Sequence, residues 1–217
     1  MKDSKDVINA SLLRSELGEK FCVEYLESTT STNDVCKMLA NSGSKENTIV
    51  FAESQSAGRG RLDHTFFSPK GGIYFSLLRF PAISPSQLTL ITPAAAVAVY
   101  DALAEIDGEL ASRLTIKYVN DLKLDGKKVC GILTEGAFSD GKLKYCVIGV
   151  GLNLYKNEYP EDIADIAGYL YEEERSGLKA ELVGRICKKI VEYTDDIDIL
   201  TGIQDRYNSH LERRTDE

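Results

Sequence analysis

Three apolar runs sit close together in the middle of the chain, at Leu114–Val119, Lys128–Glu135 and Leu143–Leu154, with Asp125-Gly126 and Asp140-Gly141 lying between them. Asp-Gly is the dipeptide that most readily supplies the two positive-φ positions of a tight hairpin turn. Strands joined in this way run antiparallel, which excludes a doubly wound parallel sheet. The rest of the pattern agrees. Phe21–Leu26, Thr48–Ala52 and Ile73–Phe80 read as further strands. Asp34–Ala40 carries Val35, Met38 and Leu39 at helical spacing and stops at Gly43, and Thr92–Ile106 is an alanine-rich helix. Leu182, Ile186, Ile190 and Val191 stripe one face of a helix over Leu178–Tyr193. The residues up to about Leu17 read as a short amphipathic helix, and the charged tail to Glu217 as helix that then frays. Hairpins plus segregated helices define an α+β fold: a mixed, largely antiparallel sheet flanked by helices, in a single domain over residues 1–217 without internal repeats.

Charge narrows the partners. Acidic residues outnumber basic ones 34 to 26, for a net charge of −8. DNA and anionic membranes both reward a basic surface, so neither is expected as the main partner. His64 and His210 are the only histidines, too few for a histidine-rich metal centre. Five cysteines, an odd number without C-x-x-C spacing, suit a reduced interior and hence a cytoplasmic location. The N-terminus lacks the apolar core of a signal peptide, and no later segment is expected to reach the length of a membrane span. A helix-turn-helix does not fit before the first strand at Phe21.

Four motifs carry chemistry. In Gln55-Ser56-Ala57-Gly58-Arg59-Gly60-Arg61, glycines let backbone approach a ligand while guanidinium forks bind anionic oxygens. Lys117-Tyr118-Val119-Asn120-Asp121 offers a lysine, an amide and a carboxylate at a strand end, where phosphate, nucleotide and magnesium could be positioned. Strict alternation places Lys117 and Asp121 on one face and Asn120 on the other, so the strand must bend for all three to converge. Lys127-Lys128 opens a hydrophobic strand in which Gly131 permits a close approach. Ser31-Thr32-Asn33-Asp34 opens a helix, with Ser31 and Asp34 spaced for a capping box. Each has an ordinary alternative: a surface loop, turn chemistry, an edge-solvating charge, a cap.

Taken in order, S-T-N, Q-x-A-G-R-G-R, F-x-S-P-x-G, K-x-x-N-D, G-K-K-x-x-G-I-L and G-x-G-x-N, from Ser31 to Asn153, resemble the biotin–protein ligases. The resemblance implies a catalytic domain related to class II aminoacyl-tRNA synthetases. It also implies an enzyme that uses ATP and Mg²⁺ to convert biotin to biotinyl-AMP, then transfers biotin to a lysine of a biotin carboxyl carrier domain of a biotin-dependent carboxylase. By the same resemblance, Ser31, Thr32, Asn33, Gln55, Arg59, Gly60, Arg61 and Lys128 match biotin-binding positions. Lys117, Asn120, Asp121, Asn153, Phe66 and His64 fall on the nucleotide side, with Asp121 toward the metal, and Lys128, Arg61 and Asp121 are the catalytic candidates. Three departures stand out: Asp63-His64 where Gly-Arg is common, Tyr118-Val119 where Trp-Pro is common, and an end at Glu217 where many members continue into a small β-barrel domain. Two other readings stay open: a biotin-binding regulator that has lost catalysis, and a lipoate-type acyl ligase on the same fold. Exposed strand edges would allow a sheet-extending homodimer.

Overall fold

Both Asp-Gly pairs turn the chain as their chemistry requires. In the computed structural model, which describes residues 5–212, φ is +51° and +83° at Asp125 and Gly126, and +51° and +72° at Asp140 and Gly141. They join β5 (Asp121–Leu124) to β6 (Lys127–Ser139) and β6 to β7 (Lys142–Leu152). With β1 (Cys22–Leu26), β2 (Thr48–Ala52), β3 (Ile73–Arg79) and β4 (Leu114–Lys117) they build one sheet in the order β1-β2-β3-β7-β6-β5-β4. Only β1 and β2 are parallel; every other neighbouring pair is antiparallel, so the α+β reading holds.

The two faces of the sheet are covered unequally, and this positions the site. One face packs under α1 (Ala10–Leu17), α3 (Ile91–Ile106), the short α4 (Gly108–Ala111) beside it, α5 (Leu178–Asp195) and α6 (Ile197–Ser209). Its core includes Phe51, Phe75, Leu77, Ile132, Ile148 and Val150. Among the described residues the other face carries a single helix, α2 (Thr32–Asn41), over a small cluster of Cys36, Ala40, Val50, Leu78, Tyr145 and Val147. Strand side chains alternate. Ser76 therefore shares the thin face with Leu78, Gly149 and Gly151 share it with Val147, and Gly131, Leu133 and Glu135 lie opposite Cys130 and Ile132. Beyond α2 that face bears glycines, polar groups, Leu133 and the Phe66 ring in place of a helical layer.

Four expectations need correction. The run Leu114–Val119 stops as a strand at Lys117, and Asp121 opens a separate four-residue strand, β5, hidden in the sequence among turn-forming residues. A helical stretch of 22 residues, Pro85–Ile106, is long and apolar enough to cross a membrane by length and composition. In this fold it is the central helix, buried from Ile91 to Leu103 against the sheet, α5 and α6, and its alanines let those neighbours approach. The N-terminal helix begins only at Ala10, where the Asn9 side chain accepts from the Leu12 amide; residues 1–4 lie outside the described region. Ser31 caps α2 with its backbone, but its side chain makes no capping bond and Asp34 pairs elsewhere, so there is no capping box. After α6 the chain lays Leu211 along the outer edge of β4, with Ile116 N donating to His210 O at 2.8 Å and Glu212 N to Ile116 O at 2.8 Å. The expected frayed end lies outside the described residues.

Candidate active site

At the N-terminus of α2, Ser31, Thr32 and Asn33 are buried, at 2%, 3% and 4% exposure. Polar groups this deep need partners, and they have them. The Thr32 amide and hydroxyl both donate to Gln55 Oε1, at 2.8 and 3.1 Å, and Gln55 Nε2 donates to Ser68 Oγ at 2.9 Å. Ser68 in turn donates to the Phe66 carbonyl at 2.8 Å. Ser76, fully buried on β3, offers its hydroxyl proton to Thr32 Oγ1 at 2.8 Å and Asn33 Oδ1 at 2.5 Å. Asn33 Nδ2 donates to Glu135 Oε2 at 2.8 Å and Leu133 O at 3.4 Å, so its amide is engaged at both ends. Sequence reasoning missed Ser76 and Glu135. The signal for Ser76 was a single polar residue inside the otherwise apolar run Ile73–Leu78; Glu135 was a carboxylate in step with Gly131 along one strand face.

The floor beneath this cluster is glycine. Gly131 and Gly151 are directly paired across β6 and β7, and Gly149 pairs with Leu133. A Cβ on Gly149 would sit 2.2 Å from Asn33 Oδ1, and one on Gly151 2.6 Å from the Phe66 ring, so no side chain fits in this arrangement. Phe66 lies on the floor, and the space left in the pocket is about 20 Å³, little more than one water needs. A larger ligand enters only when the Phe66 or Arg59 side chain moves.

The far end of the groove holds Lys128 and Asp121. Lys128 Nζ is 2.8 Å from Asp121 Oδ1, without hydrogen-bond geometry, and 5.6 Å from the Phe66 ring centroid. Asp121 is held by its strand, paired to Gly131 on one side and Lys117 on the other. Asn120 and Asn153 brace the backbone: Asn120 Nδ2 donates to Ile132 O at 3.1 Å and Asn153 Nδ2 to Gly168 O at 2.9 Å. Lys117, Arg61 and His64 are exposed, and none lines the pocket. Gly60 turns the loop, its amide donating to His64 O at 2.7 Å. The groove thus gathers Ser31, Thr32, Asn33, Gln55, Arg59 and Phe66, with Lys128 and Asp121 beyond the ring.

Arg59 instead leans toward α2. Asp34 accepts from it at 2.7 Å and forms an ion pair with Lys37 Nζ at 2.8 Å. Burial opposes ionisation of Asp34, but these two cations hold its carboxyl below the usual range; burial likewise opposes Lys37, while Asp34 and Glu135 hold its ammonium above the usual lysine value. Burial pushes the Cys36 and Cys146 thiols up to about 12, which removes them as nucleophiles near neutral pH. Among the described residues no three His, Cys, Asp or Glu side chains gather as a metal site.

A bound ligand on this groove would have one end among fixed hydrogen-bonding groups and the other beside a cation. A model of the biotin/lipoate A/B protein ligase family matches residues 25–153. The bifunctional ligase/repressor BirA of Bacillus subtilis is 34% identical over 165 residues, covering 75% of this chain and 49% of that protein. A biotin–[acetyl-CoA-carboxylase] ligase of Paracoccus denitrificans is 39% identical over 132 residues, 59% of this chain and 53% of that one. The chain therefore spans about half the length of these relatives. Among solved structures, the biotin protein ligase of Aquifex aeolicus in complex with biotin and ATP superposes with a TM-score of 0.68 at 26% identity, covering 88% of this chain and 78% of that one.

Proposed function

The chain belongs to the biotin/lipoate A/B protein ligase family, and from that premise we propose that it is a biotin–protein ligase. The observation that carries the reading is the division of one groove into a saturated hydrogen-bonding end at Thr32, Asn33 and Gln55 and a cationic end at Lys128. Biotin has a matching division: a polar ureido ring at one end and a carboxylate at the other. With the ring against the α2 terminus, the valeryl chain crosses the glycine floor once Phe66 lifts, and the carboxylate reaches Lys128.

A carboxylate is a poor electrophile and repels ATP. Lys128 offsets that repulsion, with Asp121 2.8 Å away as its carboxylate neighbour. A carboxylate oxygen attacks the α-phosphorus, a C(O)–O–P linkage forms and pyrophosphate leaves. The carrier lysine's amine then attacks the acyl carbon, an amide forms, AMP leaves and the amine proton passes to solvent. Mg²⁺ would supply charge neutralisation on the phosphates; the single carboxylate of Asp121 suits an ion that arrives mainly phosphate-held. The exposed Arg61, His64 and Lys117 are available to the nucleotide, and a loop closing over it would exclude water from the anhydride. Free cysteines support a cytoplasmic location, and β1, an edge strand of the sheet, would admit a second copy along its outer side.

The test is incubation with ATP, Mg²⁺, biotin and a biotin carboxyl carrier domain. Pyrophosphate release and a biotinylated carrier lysine are expected, with lipoate a poor substitute. Biotin binding without pyrophosphate release would replace the reading by a binding-only regulator. Preference for lipoate would replace it by an acyl ligase of the other branch.

A further inference from the structure

The two arginines of the Gly58–Arg61 loop are held in different ways. Arg59 closes a ring of four alternating charges. Lys37 Nζ is 2.8 Å from Asp34 Oδ1 and 3.2 Å from Glu135 Oε1; Arg59 is 2.7 Å from the same Asp34 oxygen and 3.2 Å from the same Glu135 oxygen. The ring ties α2, the loop and β6 together, and its formal charges cancel. Arg61, two residues on, is exposed and has no ion-pair partner among the described residues. Its charge is felt at Tyr207 of α6, where burial and Tyr118 raise the phenol and Arg61 opposes them. Next to it Leu62, 84% exposed, is held at φ +53°, a conformation costly for a branched side chain.

A guanidinium whose two terminal nitrogens already face carboxylates gains little from a third anion, which would leave the ring with excess negative charge. Glu135 sits at the crossing point, because its second oxygen accepts from Asn33 Nδ2 at 2.8 Å. Ser76 fixes the other end of that amide. We propose that Arg59 is a loop anchor rather than an anion receptor, and that Glu135 is the positioning residue on which both the anchor and the Asn33 amide depend. Arg61 is then the arginine left to meet an anionic ligand. The anchor concerns the protein alone; what it positions for rests on the ligase reading.

Arginine-selective ¹⁵N relaxation of the Nε–Hε groups in the ligand-free protein tests the anchor without any activity. Arg59 is expected to be as rigid as the buried Arg79, and Arg61 to be mobile. Glu135→Gln should release Arg59 while leaving Arg79 unchanged. Asp34→Asn, which spares the Asn33 contact, should release it too and covers the case in which the Glu135 variant fails to fold. Equal mobility of Arg59 and Arg61 in the wild type, or an Arg59 that stays rigid in the folded variants, overturns the proposal. In the same samples Glu135→Gln should speed biotin dissociation by about tenfold, through loss of charge-assisted bonds. Asp34→Asn should do so less, and added salt should speed the wild type more than Glu135→Gln. A wild type that binds no biotin but shows the expected arginine mobilities would sink the ligase reading and leave the anchor standing.

Discussion

The two ends of the groove are built on different principles. At the α2 end, Thr32, Asn33, Gln55, Ser68 and Ser76 form a continuous hydrogen-bonded chain that needs no ligand to complete it. At the other end, Lys128 and Asp121 face one another without hydrogen-bond geometry, Arg61 and His64 stand in solvent, and a movable ring fills the space between. Recognition of a neutral polar ring rewards fixed partners, because each misplaced buried donor costs about 1–3 kcal/mol. Two reacting anions are better served by charges that close on them, since an assembled cluster of cations without its anions is itself unfavourable. The first end is complete before ligand arrives; the second is completed by it.

That contrast can be broken most severely at Lys128. Lys128→Ala should lower pyrophosphate release by about 10²-fold or more while the melting temperature stays near that of the wild type. A folded variant with normal release would remove the reactive end from the mechanism. Next come the floor glycines, whose neighbours differ in the same way. Gly149→Ala drives a methyl into Asn33, which is fixed by Ser76 and Glu135, and should cost about 1–3 kcal/mol of stability and most of the biotin affinity. Gly151→Ala meets first the edge of the Phe66 ring, which can lift, so it should cost under about 1 kcal/mol. Equal penalties, by denaturant unfolding and calorimetry, would erase the distinction between the two ends. Ser76→Ala removes one buried hydroxyl that serves two acceptors and should destabilise by about 1–2 kcal/mol, with biotin affinity falling alongside. Smallest is Phe66→Ala: it empties the floor and should quicken biotin association a few-fold without disturbing α2, as stopped-flow binding would show.

The sequence disclosed one of these regions better than the other. Asp125-Gly126 and Asp140-Gly141 could be read because positive φ at two successive residues is a local demand, met in place. Gly131 inside a strand pointed to a close approach, and Phe66 and Lys128 make it. The separate strand β5 stayed hidden because four residues bounded by turn formers carry too little periodicity to distinguish. Ser76 and Glu135 gave only faint local signals, since their importance depends on which sheet face lacks a helical layer, a property of the assembled fold. The Ser31–Asp34 spacing misled for a related reason: Asp34 found Lys37 and Arg59, and the Ser31 side chain makes no capping bond. Local chemistry is legible where its partner is near in sequence and lost where tertiary contacts compete for it.

The central claim, that one end of the groove is finished in the free protein and the other is not, is tested most directly by amide hydrogen exchange, residue by residue, in the free, biotin-bound and biotin-plus-ATP states. The Thr32 amide, bonded to Gln55, and those of Ser56 and Ala57, bonded to Thr29 and Thr30, should be protected in the free protein and change by less than about threefold on adding biotin. The amides of Arg61 and Leu62 should exchange fast in the free protein and slow by about tenfold or more only when biotin and ATP are both present. Fast exchange at Thr32 in the free protein, with protection appearing at both ends together on biotin binding, would contradict the account.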